Sequence, residues 1–216
     1  RFSPWKVFIN TRVLVADPDA TFNLNRISAI DLSDPANPSE AGEISLAGNI
    51  DQFFVLKENL LGFGSTYFGS GLNLQTYGTI NLFSPTGSEQ DVLLLGTDFP
   101  SYSTAASWDD QIAHVDASIN RLFLPYTNYG FLDGIGFMTK QRLTLADVDT
   151  DRLEEEITFD FQEPVSRSLG FGENLALAFS NSYVYLLRKG EGRWRSTSLV
   201  GAILPQAVYE LPDSIF

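Results

Sequence analysis

The sequence predicts an all-β protein, a β-propeller of four-stranded antiparallel blades. Three observations carry this. Short apolar runs recur between turn residues along the whole chain, with no sustained helical period. Phe is abundant, at 17 residues, and aromatic and β-branched side chains suit a pleated surface. Related segments also return at spacings close to the ~40–50 residues of a propeller blade. Asp31-Leu32-Ser33-Asp34-Pro35 matches Asn81-Leu82-Phe83-Ser84-Pro85 at a shift of 50. Asp51-Gln52 returns as Asp110-Gln111 at a shift of 59, and Glu58-Asn59-Leu60 as Glu173-Asn174-Leu175 at a shift of 115, about two periods.

The clearest unit runs from Arg26 to Gly64. RISAIDL alternates and is β-branched, so it reads as a strand. SDPANPS follows as a turn, because Pro35 and Pro38 cannot donate to a ladder and Asp34 and Asn37 bond to their own backbone. EAGEISL, DQFFVL and LLGFG are three further strands, divided by AGN and KEN. Before this unit, WKVFINTRVLVA holds two apolar strands around Asn10-Thr11. Across the chain the strands divide into inner strands (DQFFVL, QIAHVDA, SRSLGFG) and second strands (LLGFG, RLFLPY, LALAFS). Third strands are RISAIDL, TYGTINLF, KQRLTLAD and SYVYLLRK, and outer strands AGEISL, DVLLLG, EEEITFDF and WRSTSLV. DRLEEEI has some helical propensity but leads into the alternating ITFDF, so strand is preferred there. The domain spans 1–216, with blade-like repeats around 5–46, 50–95, 110–161 and 165–200. The first reads as incomplete, and the pattern favours part of a larger ring over a closed ring of four.

Composition narrows the function. Hydrophobic residues make up 44% and charged residues 19%, a globular balance. The net charge of −13 opposes nucleic acid and anionic membrane surfaces as partners. No apolar run approaches the ~18 residues of a spanning helix. The absence of Cys excludes a disulfide scaffold, a Cys-ligated metal and a thiol nucleophile. The first residue is Arg rather than Met, which leaves room for a removed signal peptide or a longer parent chain.

IDLSDPANPSEAGEISL, followed by an apolar strand and ENLLGFG, resembles the secreted bacterial and archaeal beta-propeller-domain proteins. Their blades read DLSDPxxP, a short strand, then LLGIG. AASWDDQIAHVDASINRLFLPY and VSRSLGFGENLALAFSNSYVYLL resemble further stretches of the same family, and together these cover most of residues 26–190. The third repeat departs from the pattern, with Asp149 and Thr150 in place of Ser-Asp and no following Pro. The resemblance implies a scaffold that is secreted, periplasmic or on the cell surface, and it transfers no catalytic signature.

Three groups of residues carry candidate chemistry. Asp147, Asp149 and Asp151 form a DxDxD run of the kind hard cations use, but Arg152 and Thr158 stand where a calcium loop needs Gly and Glu. Calcium is therefore possible but not favoured, and no cofactor is expected. The plainer reading of Asp147 is the turn-forming position also held by Asp31 and Asn81. His114, with Asp110 and Asp116 on its strand face, offers a His–carboxylate pair or an ordinary structural histidine. Finally, aromatic residues fall in stretches read as loops on one propeller face: Tyr67, Phe68, Tyr102, Trp108, Tyr129 and Phe131. Inner strands line the channel of a propeller. Asp51, Gln52, Asp110, Gln111 and Arg167 are thus expected to ring its mouth, framed by Trp108 and Tyr129, as a ligand-binding site or simply as a solvated channel. The expected function is a non-enzymatic binding or structural module with a protein or carbohydrate partner. The alternatives are a glycosidase or lyase with carboxylates on the propeller face, or a piece of a larger secreted protein.

Overall fold

The computed structural model describes residues 6–9, 12–17, 26–45, 48–57, 59–68, 75–84, 89–99, 101–103, 113–132 and 136–200. Among them are strands and turns and no helix. The first sheet contains β1 (Lys6–Ile9), β2 (Arg12–Asp17), β3 (Arg26–Asp31) and β4 (Ser39–Ser45). The second contains β5 (Gly48–Leu56), β6 (Asn59–Phe68), β7 (Gln75–Phe83) and β8 (Glu89–Leu95). The third contains β9 (Ser101–Ser103), β10 (His114–Asp116), β11 (Arg121–Leu132), β12 (Gly136–Val148) and β13 (Leu153–Phe161). The fourth contains β14 (Arg167–Gly170), β15 (Leu175–Phe179), β16 (Tyr183–Gly190) and β17 (Arg193–Val200). Neighbouring strands pair antiparallel and in chain order, the up-and-down meander of propeller blades. The exception is the third sheet, where β9 and β10 both pair with β11 on the edge that β12 leaves open. They are two pieces of one innermost strand.

Local chemistry sets these boundaries. The break between β3 and β4 is held by Asp34, whose carboxylate accepts from the Ala36 N–H at 3.1 Å and the Asn37 side-chain amide at 2.8 Å. Those bonds, the Asn37 one foremost, hold the Asp34 carboxyl below its ordinary pKa. DRLEEEI, despite its helical propensity, enters β13, because Leu153, Ile157 and Phe159 find apolar neighbours in the sheet packing.

Two sequence expectations need correction. The first sheet is not incomplete: β1 and β2 supply its two inner strands, so it has four like the others. Of the stretch read as a Gly-rich loop, residues 127–132 and Gly136 belong instead to the β11–β12 ladder, paired as far as Leu132 opposite Gly136, while 133–135 lie outside the described residues. Gly130 does not break the ladder, since it sits opposite Met138, and the aromatic pair Phe131–Phe137 supports the extension from across the strands.

The second, third and fourth sheets stack face to face. Leu61, Phe63, Ile80 and Leu82 of the second sheet pack against Leu122, Leu124 and Ala146 of the third. Phe123, Leu143, Leu145 and Phe159, on the other face of the third, pack against Ala176, Ala178, Tyr185 and Leu187 of the fourth. Each Leu or Phe so buried contributes about 1.5–3 kcal/mol. The approach is close at Gly170, where a Cβ would lie 2.9 Å from the Phe123 ring, so the innermost strand of the fourth sheet has no room for a side chain there.

Candidate functional site

Among the described residues, the β11–β12 hairpin carries the two most exposed large hydrophobic side chains. Alternation puts Thr127, Tyr129 and Phe131 on the face of β11 that also carries Phe123, the face turned to the fourth sheet. In the row after Pro125, Phe161 still meets Tyr185 of the fourth sheet at 4.5 Å, and beyond that row the face carries Tyr129 and Phe131. Phe131 is 77% exposed and Phe137 59% exposed. Their rings meet edge to face at 5.6 Å, and Tyr129 lies 6.4 Å from Phe137. Three aromatic rings thus form a cluster on a paired ribbon, Phe131 and Phe137 exposed and Tyr129 half-buried.

The opposite face of the hairpin is clamped. The buried Arg142 guanidinium donates two parallel bonds to Asp98, at 2.5 and 2.7 Å. It also donates to Asp160 at 2.9 Å and to the buried Asn128 side-chain oxygen at 2.9 Å. Lys140 adds a bond to Asp98 at 2.9 Å, and both cations stand over the buried Phe99 ring. The Arg142 fork holds the Asp98 carboxyl far below the ordinary carboxylate range; burial opposes it with a smaller effect, and Lys140 adds to the lowering. Asp98 in turn holds Arg142 more firmly in its cationic form. The turn that presents Asp98 depends on Gly96, whose φ of +60° is left-handed and whose Cβ would lie 2.1 Å from Asn128 Oδ1. The clamp thus joins the turn after β8 to β11, β12 and β13.

The residues expected at the channel mouth are placed as follows. Asp51 is the bulged residue of β5, between Ile50 opposite Gly64 and Gln52 opposite Phe63. The strand itself begins three residues earlier, at Gly48. Gln52 is 7% exposed and shares a strand face with Phe54 and Leu56, which pack toward the third sheet. Arg167 opens β14 and donates to the Ser166 carbonyl at 2.7 Å. Tyr129 belongs to the aromatic cluster. Trp108, Asp110 and Gln111 lie outside the described residues.

His114 faces Phe123 across β10 and β11, with its ring centroid 5.5 Å away. Asp116 accepts from the Ser118 N–H and hydroxyl, a turn contact. Asp147 is paired with Arg121, whose Nε donates to it at 2.7 Å, while Asp149 and Asp151 are exposed at the β12–β13 turn. Among the described residues, no group of three His, Cys, Asp or Glu side chains comes together as a metal site.

Sequence reading missed the clamp and Phe137. A signal was there: Lys140 and Arg142 are two apart in an alternating strand, so both cations share a face that otherwise reads as core. What it lacked was Asp98, 44 residues away and in a turn.

No family model matches the chain, and no curated protein matches it. Among solved structures it is similar to a mutant of the apocarotenoid oxygenase of Synechocystis, at 9% sequence identity and a TM-score of 0.40. That match covers 88% of this chain and 46% of the oxygenase chain, so this chain spans about half its length.

Proposed function

We propose that the chain is an extracytoplasmic propeller unit that binds a protein or carbohydrate partner without catalysing a reaction, through the aromatic end of the β11–β12 hairpin. The observation that carries this reading is the pairing of exposure with rigidity. Phe131 and Phe137 stand in solvent, while the other face of the same ribbon is fixed by the Arg142–Asp98 fork. Aromatic rings presented on a fixed base lose little conformational entropy on binding, and apolar clusters of this kind serve as interaction anchors. The resemblance of IDLSDPANPSEAGEISL and ENLLGFG to secreted propeller blades supports the location. Against the glycosidase alternative, Asp98 and Asp160 beside this hairpin are engaged by Arg142 and Lys140, and Asp98 is pushed toward its charged form. A general acid needs the opposite shift.

The test is retention of the purified chain on immobilised polysaccharides and extracellular-matrix proteins. Phe131→Ser with Phe137→Ser should weaken the best binder by about tenfold or more, while costing stability only the roughly 0.2–1 kcal/mol of an exposed cross-strand aromatic pair. Unchanged retention, or cleavage of any polysaccharide in the panel, would refute the proposal.

Calcium is not part of this reading, because Asp147 spends a carboxylate oxygen on Arg121. The expected result is an unchanged melting temperature in millimolar calcium, since only a ligand bound to the native state raises it. A rise of several degrees that disappears in Asp149→Ala would assign the DxDxD run to a cation after all.

A further inference from the structure

Two neighbouring sheet junctions are filled differently at the end where β6 and β11 begin. In the third sheet the first residue of β11 is Arg121, on the face that carries Phe123 and turns to the fourth sheet. Its guanidinium reaches the Glu173 carbonyl, in the turn between β14 and β15, at 2.8 Å, and meets the carboxylates of Asp147 and Glu156. In the second sheet the first residue of β6 is Asn59, on the face that carries Leu61 and Phe63 and turns to the third sheet. Its side-chain amide donates to the carbonyls of Asp149 and Thr150, in the turn between β12 and β13, at 3.4 and 3.2 Å. Both contacts lie at or beyond the long end of ordinary N–H···O bonds. The shorter asparagine thus holds weakly the kind of turn carbonyl that a guanidinium holds closely one junction on.

The second and third sheets enclose a cavity of about 300 Å³ at this point, lined by Asn59, Asn120, Asp149 and Thr150 and by Leu56, Lys57 and Val148. Its polar side is rich in acceptors. Asn120 has a buried side-chain oxygen without a hydrogen-bond partner, and a buried acceptor left without a donor is unfavourable. Asp149 is exposed and is the one carboxylate among the described lining residues. A single carboxylate among amide oxygens suits a monovalent organic cation, whereas calcium gathers several carboxylates. Leu56 and Val148 are buried and offer an apolar wall to the stem of a long cationic side chain.

We propose that this cavity binds a guanidinium group, carried by an arginine of a partner protein or by a small molecule, in the place that Arg121 fills between the third and fourth sheets. The planar fork supplies several donors at once, which the acceptors here can share. The chain's net charge of −13 draws such a cation in. Lys57 lines the same cavity and is exposed, so it opposes the ligand's charge and weakens binding. β11 runs from Arg121, next to Asn120, to Leu132, so the cavity and the aromatic end of the hairpin lie at opposite ends of that strand.

A chemical-shift titration of the nitrogen-15-labelled full chain tests the proposal. The probes are agmatine and an acetyl-Gly-Arg-Gly-amide peptide, with the same peptide carrying citrulline as the uncharged control. Both guanidinium probes should move the side-chain amide signals of Asn59 and Asn120, and the citrulline peptide should not. Asp149→Asn should weaken the titration by about tenfold, as loss of a charge-assisted bond does. Lys57→Ala should strengthen it, and Phe131→Ser with Phe137→Ser should leave it unchanged. Both Lys57 and Asp149 are exposed, and circular dichroism checks that the sheets survive each substitution. A peptide affinity about tenfold above that of agmatine assigns the group to a partner protein, and equal affinities assign it to a small molecule. Signals that stay in place at tens of millimolar of either probe would overturn the proposal. So would a shift that the citrulline peptide reproduces, or one that Asp149→Asn leaves at full strength.

Discussion

Arg121→Ala is expected to cost about 3 kcal/mol of stability, because it removes one partner from a buried ionic cluster. Arg121 is buried between the third and fourth sheets. Its guanidinium meets Asp147 at 2.7 Å, Glu156 at 2.8 Å and the Glu173 carbonyl at 2.8 Å, and it lies over Trp194. Asp147 is half exposed and can return to water. Glu156 is largely buried and would keep only Lys189. The loss should be felt unevenly, since stacked repeats are stabilised by their nearest-neighbour interfaces. Hydrogen exchange should therefore accelerate first in residues 167–200 and least in 48–95. A double variant, Arg121→Met with Glu156→Gln, should recover part of the loss, because the charges it leaves without these partners, on Asp147 and Lys189, are partly exposed and can be solvated, unlike the carboxylate of Glu156. A single variant within about 0.5 kcal/mol of the parent, the ordinary range for surface changes, would show that Arg121 does not staple the two sheets.

Sequence and structure agree where the signal is local and separate where it is not. RISAIDL, EAGEISL, DQFFVL and LLGFG became β3 to β6 because period-two alternation and the Asp34–Pro35 turn each act within a few residues. The strand order followed, since short turns leave antiparallel neighbours no alternative. The hairpin end at 127–136 was misread because Gly130 and Gly136 look like breaks. What overrides them is an aromatic contact across two strands, invisible in a linear reading. The site was less legible still. Arg121 and Arg142 read as ordinary polar positions in alternating strands. Their meaning lies in Glu173 and Asp98, which the fold brings in from 52 and 44 residues away. The Asp51-Gln52 and Asp110-Gln111 repeat was genuine as a sequence pattern. Asp51 is a bulged residue of β5, and Asp110 and Gln111 lie outside the described residues, so the repeat keeps its meaning as a sequence pattern alone.

Arg142→Met is expected to cost about 2–3 kcal/mol at neutral pH, less than a fully buried pair because Asp98 and Asp160 are each about half exposed and can be solvated. The methionine keeps the packing over Phe99 and removes the charge. What is lost is the bidentate fork to Asp98 and the bonds to Asp160 and Asn128. Acid should narrow the difference between variant and parent. Asp98 has a native pKa held below its unfolded value of about 3.9, first by the Arg142 bond and then by Lys140. A depressed carboxyl contributes stability above its unfolded pKa and loses that contribution as pH falls toward the native one. The parent protein should thus lose melting temperature more steeply than Arg142→Met below about pH 4, and Asp98→Asn should show the same flattened profile. If the two melting curves instead stay parallel into acid, the clamp is a packing contact and its charges contribute nothing. Retention through Phe131 and Phe137 gives an independent measure of the same clamp. Arg142→Met leaves both rings in place but frees the ribbon beneath them, so binding should weaken through faster dissociation while association is little changed.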